Sequence, residues 1–546
     1  MTTVAERLLE SWLDSQTERR YQPAFIQMLV SEGWAILHNT RHAPIEFGKD
    51  VIARDPTGVL YCFQLKGNPG SRVTKSEAAS LLTQFNELLM TAPGPEFRKN
   101  AEEKHVAVFV TNGEIDEEAR LLFERAAEAC KQPGAMASGY QLWTRGDLLK
   151  KLGPALRVWP ATLDGIRLIL NLLAGDGREP PDPQDISRIM ASVLPPADAS
   201  SPAKNAALSS MLVVAEIIKA RWYERDNHQA LHCVTVLAAI AAMPLADTDT
   251  RLAMLANYAP LALEHCADLL AEANARNFSP KRAWSEHDIL GEYDVMWERR
   301  RLVADCAAIA LLGQVEMSRD LRSYAAELVS SVTHHVMLWG QAQIPSLIAA
   351  FWARGRVEVG IAREFDLAAT LRKLQELNGG HDSTSALPQP YYTWPDTWAY
   401  LHNLPHMTSS EIFEDSSHGR LFFARAMMFM LAKRNMKRTC GELWSGFTRP
   451  IHEEAQLADS SFFSAEHCKD GTMHQIQLRT GIWADLVNEG IDAAGAAGFL
   501  DRFASLAWLI AAYVSLVPYR GWTRVLMWLD AQFDRTWYHV AARPIH

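Results

Sequence analysis

Asp50, Gln64 and Lys66 are the residues of this chain whose types and spacing could do chemistry together. Asp50 leads the run Val51-Ile52-Ala53-Arg54, and Gln64-Leu65-Lys66 ends the run that starts at Val59. Both runs are rich in β-branched and aromatic residues, and Asp55-Pro56-Thr57-Gly58 between them is a turn signal, so a β-hairpin is expected. Asp55 itself is read as a turn residue. Side chains alternate across a strand, so Gln64 and Lys66 share a face while Phe63 and Leu65 point the other way. With Asp50 opposite them, the group offers one carboxylate, one amide oxygen and one ammonium. Asp50 and the Gln64 carbonyl, helped by a backbone carbonyl such as that of Leu65, suit the oxygen shell of Mg2+. Mg2+ keeps waters, one of which can attack a phosphodiester. Lys66 would hold or deprotonate that water and offset the developing charge.

The elements that must position these residues are legible on either side. Residues 18–32 form an amphipathic pattern, with Tyr21, Phe25, Met28 and Leu29 near one stripe and Gly33 as a helix stop. A strand is expected at Trp34-Ala35-Ile36-Leu37. After Lys66 come a helix over residues 76–90, a buried strand at 105–110 and a helix over 116–130. A strand at 140–143 and a short helix at 147–149 close the series.

This order, together with the Asp…Gln-x-Lys hairpin, resembles the PD-(D/E)xK nuclease superfamily, in particular its Mrr-like restriction endonuclease branch, where Gln often replaces the Glu of (D/E)xK. The resemblance covers residues 5–155, under a third of the chain. It implies a restriction-endonuclease-like α/β domain (a central mixed sheet flanked by helices) and Mg2+-dependent DNA cleavage, with Mn2+ as a substitute ion. It also implies an acid from the first helix at the metal. Glu18, facing the same way as Gln22, is the candidate, with Glu32 and Glu46 as alternatives. Gln84, on the helix after Lys66, falls where such nucleases keep a polar residue near the site. A Gln in place of an acid weakens the field for a second ion, so a one-metal site is expected.

The chain carries a net charge of −10, and its first 150 residues hold 17 Lys+Arg against 20 Asp+Glu. Because phosphate contacts supply most non-specific DNA affinity, any DNA groove must be a local patch. Lys49, Arg72 and Lys75, with Arg19, Arg20, Arg98 and Lys99, are its candidates. No apolar run is expected to span a bilayer, and the start Met-Thr-Thr-Val-Ala-Glu-Arg has no signal-peptide core, so a cytoplasmic location is expected. Seven cysteines without a CxxC fit buried reduced thiols.

Beyond residue 155 the texture changes. Residues 156–205 read as a connecting helix and a Pro-rich linker, and 206–546 as a large all-α domain with a break at 378–396. The helical part is expected to sense a signal, form a homo-oligomer or dock a partner such as an ATPase. A nuclease fused to such a module resembles effectors of prokaryotic antiviral defence systems. The rival readings are a nuclease fold that has lost catalysis and only docks, and a helical scaffold that is the principal business. His228 and His232, four apart beside Cys233, could share a zinc-binding face. Without the Glu of HExxH or a second ligand pair they read as core or surface histidines. The tripeptides Glu264-His265-Cys266 and Glu466-His467-Cys468 read as coincidence. The glycine spacing of Gly67-Asn68-Pro69-Gly70-Ser71-Arg72-Val73-Thr74-Lys75 is wrong for nucleotide binding.

Overall fold

In the computed structural model, Asp55-Pro56-Thr57-Gly58 turns the chain as expected. The Asp55 carboxylate accepts the backbone N–H groups of Thr57 (3.0 Å) and Val59 (2.9 Å), and Gly58 takes a left-handed φ of +86°. The structure describes residues 4–39, 49–70, 72–128, 134–156, 158–159, 162–278, 295–331, 340–357, 364–379, 386–392, 397, 419–455, 457–466, 473–476 and 483–534. These fall into two compact units. Unit 1 comprises Met1–Arg178, Arg188–Asp226 and Ala241–Tyr258, and unit 2 comprises Glu179–Ser187, Asn227–Ile240 and Ala259–His546.

Unit 1 opens with Val4–Ser15 (α1) and Glu18–Ser31 (α2), then Ala35–Asn39 (β1), Val51–Arg54 (β2), Leu60–Lys66 (β3) and Arg72–Val73 (β4). Lys75–Met90 (α3), His105–Thr111 (β5), Glu114–Ile115 (β6), Glu117–Ala127 (α4), Ala137–Trp143 (β7) and Arg145–Ala155 (α5) follow. The central sheet runs β1-β2-β3-β5-β7, antiparallel through the hairpin and parallel from β3 to β7. The expected mixed sheet flanked by helices is therefore present. One face, with Ile52, Leu60, Cys62, Ala107 and Phe109, packs on Phe85, Leu88, Leu89 and Phe123 of α3 and α4. On the other face, Phe63 meets Phe25 edge-on (centroids 5.4 Å) and tilts against Trp143 (5.5 Å). Burying large apolar side chains on both faces of one sheet explains why its strands read as near-continuous apolar runs.

The sequence-based boundaries shift. Leu163–Ala174 (α6) lies within the expected connecting helix, while Pro183–Ala191 (α7) and the start of Ser201–Ile218 (α8) occupy the stretch expected as a Pro-rich linker. Pro183 and Pro202 stand at helix starts, where a missing N–H costs little, so they mark entry into helices. Within unit 1, α8 and Asp249–Tyr258 (α11) pack on α2, and Ala220–Glu224 (α9) follows α8. The Gln27 amide donates to the Met254 carbonyl at 3.4 Å, and Arg20 donates to the Tyr223 carbonyl at 2.5 Å.

Unit 2 is largely helical, with His228–Ala242 (α10), Pro260–Ala275 (α12), Val295–Leu312 (α13), Arg319–Ser330 (α14), Ile344–Val357 (α15) and Glu364–Asn378 (α16) among its helices. The all-α expectation is corrected by a three-stranded sheet of Arg420–Leu421 (β8), Ile451–Ala455 (β9) and Met473–Ile476 (β10), in the order β10-β9-β8. Two segments, His228–Leu245 and Gly498–Leu516, are long and apolar enough to cross a membrane by composition, against the expectation. In the fold, 89% and 67% of these windows are buried, so their apolar surface packs against protein. The five described cysteines, Cys62, Cys233, Cys266, Cys306 and Cys440, are free and buried.

His105 should make unit 1 acid-sensitive. The ring is fully buried, its Nε2–H donates to the Leu88 carbonyl at 2.8 Å, and burial pushes its pKa from 6.5 down to about 4. A depressed folded value means that stability is fully present above 6.5 and is lost as pH falls toward 4. The expected slope is about 1.4 kcal/mol per pH unit for this one group. Urea melts between these pH values should show this slope, and His105→Gln should flatten it. An unchanged slope in the variant would remove His105 from the account.

Candidate active site

The site lies where β3 ends beside the start of α2. In the β2–β3 register Val51 faces Phe63, which sets Asp50 opposite Gln64, and the Asp50 N–H donates to the Phe63 carbonyl at 2.8 Å. Asp50 Oδ2 accepts the Leu65 N–H at 2.6 Å and the Gln64 amide Nε2 at 3.2 Å. That second bond turns Gln64 Oε1 into buried surroundings where, among the described residues, no hydrogen-bond donor meets it. A buried carbonyl oxygen without a donor is costly unless a cation or water takes it. Lys66 Nζ lies 3.5 Å from Glu18 Oε2, the lysine less exposed than the acid.

Burial raises the Asp50 carboxyl above its ordinary value, the Leu65 N–H and the Lys66 charge oppose this, and Glu18 adds to it. Asp50, Glu18 and Lys66 thus lie within one another's fields, and Gln64 completes the group. The donor set consists of oxygens, two carboxylates and one amide carbonyl, which suits a hard divalent cation better than a soft one. Asp50, Gln64 and Glu18 are the residues that would hold Mg2+. Leu65 joins through its N–H, where the expected ligand atom was its carbonyl.

The nucleic-acid residues fare differently. Lys49 is corrected: it is 2% exposed and its charge is felt by Cys62 and His105, with burial pulling its pKa down. A side chain packed on that side of the sheet cannot reach a phosphate without leaving the core. Arg72 and Lys75 are exposed and pair with Asp116 (3.8 Å) and Glu118 (3.2 Å). Such exposed pairs hold weakly, so phosphate can compete for both cations. Gln84 is exposed on α3, and among the described residues no bond joins it to Asp50, Gln64, Lys66 or Glu18. Glu32 pairs with Lys151 at 3.3 Å, away from this group, and Glu46 lies outside the described residues.

Three positioning residues escaped the sequence reading. Tyr21, buried on α2, donates its hydroxyl to the Lys66 carbonyl at 3.2 Å, and burial with the charges of Glu18 and Asp50 holds it protonated. Asn112 donates to the carbonyls of Leu13 and Gln16 (both 2.7 Å) and accepts the Asn68 N–H at 2.7 Å, tying the α1–α2 corner to the chain after β3. Gly67 permits the closest approach, since a Cβ there would stand 2.4 Å from the Glu18 nitrogen and 2.9 Å from Thr17. Only a glycine lets β3 end against the start of α2. No protein-family model, curated protein or solved structure matches this chain.

Proposed function

We propose that the protein is a Mg2+-dependent endonuclease that hydrolyses DNA phosphodiester bonds at Asp50, Gln64, Lys66 and Glu18. The observation that carries this reading is the Asp50–Gln64 pair, which leaves one buried carbonyl oxygen undonated beside a lysine and a second acid. When bound, Mg2+ would supply Lewis acidity and make a water nucleophilic near neutral pH. The protein groups do the rest. The Leu65 N–H and the Gln64 amide fix the Asp50 carboxylate. Glu18 holds the Lys66 ammonium near the end of β3, where it can orient the attacking water by donating to it and stabilise charge on a phosphate in transition. Tyr21 and Gly67 keep α2, and so Glu18, against the end of β3.

On this reading the mixed sheet is of the restriction-endonuclease type and unit 2 serves recognition, self-assembly or docking of a partner such as an ATPase. A role as an antiviral defence effector in a prokaryotic cytoplasm rests on that two-part architecture alone. The test is incubation of the purified full chain with supercoiled DNA, linear DNA and RNA, in Mg2+, Mn2+ or EDTA. DNA should be cut in either metal and left intact in EDTA. Metal-independent cutting, or none under any activating condition, would leave the cluster as a docking element. Preferential cutting of RNA would keep the site and change its substrate.

A further inference from the structure

We infer that unit 2 holds a buried zinc ion on His232, Cys266 and Cys306, one ligand from each of α10, α12 and α13. All three side chains are buried, and their ligand atoms lie within 4.8 Å of one another. A tetrahedral zinc with Zn–S near 2.3 Å and Zn–N near 2.0 Å sets its ligands roughly 3.5–3.8 Å apart, so binding draws the three side chains together and turns the His232 ring to aim Nε2 at the ion. Cys266 Sγ sits 3.2 Å from His232 Nδ1 and 4.0 Å from Nε2. His232 Nδ1 is 2.9 Å from the Ala262 carbonyl, which can only accept, so Nδ1 carries the proton and Nε2 keeps its lone pair. A ligating histidine whose other nitrogen donates to a backbone carbonyl is the usual outer arrangement of zinc sites.

Charge also fits. Burial pushes His232 down to about 4, which keeps the imidazole neutral, and pushes the Cys266 thiol up, with Cys306 beside it adding to the rise. Zinc takes Cys266 and Cys306 as thiolates, any thiol proton passing to solvent, and the two negative charges cancel the dication in a buried setting. Three protein ligands leave a fourth position for a water or another oxygen donor. A second group lies beside the first on α10 and α12: His228, His265 and Asp268, also within 4.8 Å of one another, with His228 and Asp268 reaching the surface.

The test uses the full chain, expressed with zinc or in cobalt-supplemented medium, and analysed for metal by mass spectrometry and by absorption. One tightly held zinc per chain is expected, and the cobalt form should show a thiolate-to-cobalt charge-transfer band. Cys266→Ser and Cys306→Ser, shown folded by circular dichroism, should lose that band or shift it and lose most of the metal. Cys233→Ser and Cys440→Ser, at buried cysteines outside the group, should keep both. Should either ligand variant fail to fold, the cobalt spectrum of the natural sequence decides. A metal-free chain with no thiolate band, or a band unaffected by both ligand variants, overturns the assignment. None of these readouts involves Mg2+ or DNA, so failure here and failure of the nuclease reading are distinguishable.

Discussion

If the proposed nuclease reading holds, Lys66→Met should slow DNA cleavage about a thousandfold while leaving unit 1 folded. The ammonium lies 3.5 Å from the Glu18 carboxylate, and its charge acts on Asp50. Methionine retains the aliphatic length of lysine and removes the charge together with the hydrogen-bond donors. Loss of either contribution typically slows such reactions by a hundredfold or more, so a fall of about a thousandfold in single-turnover rate is expected. The Lys66–Glu18 pair is partly exposed, so its loss should change stability by less than about 1 kcal/mol. Mg2+ affinity, measured by calorimetry, should hold or rise slightly as a neighbouring positive charge disappears. A variant that cuts at the natural rate would show that Lys66 has no part in the chemistry, whatever the fate of the metal.

The second large effect falls in unit 2. Asp530 is fully buried and accepts from Lys433 (2.8 Å), from Arg434 (2.8 Å) and from the Trp352 indole N–H (2.8 Å), while Arg434 also reaches Asp534 at 2.6 Å. Burial pushes the Asp530 carboxyl up, but Arg434 and Lys433 together outweigh it and hold it below its ordinary value of 3.8. Its contribution is thus present above 3.8 and lost as pH falls through the lower folded value. Asp530→Ala removes the buried carboxylate of Lys433 and one of the two carboxylates of Arg434, which should cost about 3–5 kcal/mol, a large part of a typical domain's stability. Glu442→Ala, which breaks the exposed Arg438–Glu442 pair (3.1 Å), should cost about 0.5 kcal/mol or less. Denaturant melts of both variants check the contrast, and equal losses would remove the buried network as a special source of stability.

The parts of this fold that were legible share a physical trait: their signals are local. The hairpin announced itself because Asp55-Pro56-Thr57-Gly58 can hardly do anything but turn, and because β2 and β3 are apolar on both faces. The helix carrying Glu18 and the strand His105–Thr111 showed the right periods within single windows. What stayed hidden depends on groups brought together from afar. Gly67 stood only in a run whose glycine spacing is wrong for nucleotide binding, and the approach of Thr17 and Glu18 gives it a task. Asn112 joins segments nearly a hundred residues apart. Lys49 read as a surface cation because nothing local says that its chain turns inward. The sheet in unit 2 escaped because β8 has two residues and β9, Ile451-His452-Glu453-Glu454-Ala455, carries two adjacent acids. His232, Cys266 and Cys306 sit on three separate helices, so no spacing rule connects them.

The helix that bears Glu18 leans on partners from far along the chain: α8 and α11 cover its back, and Met254 and Tyr223 accept bonds from its side chains. Every residue proposed to do chemistry precedes position 70, yet the platform under them extends to Tyr258. A shortened polypeptide ending near 155 would keep the full set of reactive groups and uncover the apolar side of the helix that aims one of them. The cutting apparatus and its foundation have different lengths, so the smallest self-sufficient piece of this protein cannot be taken as one early slice of the gene.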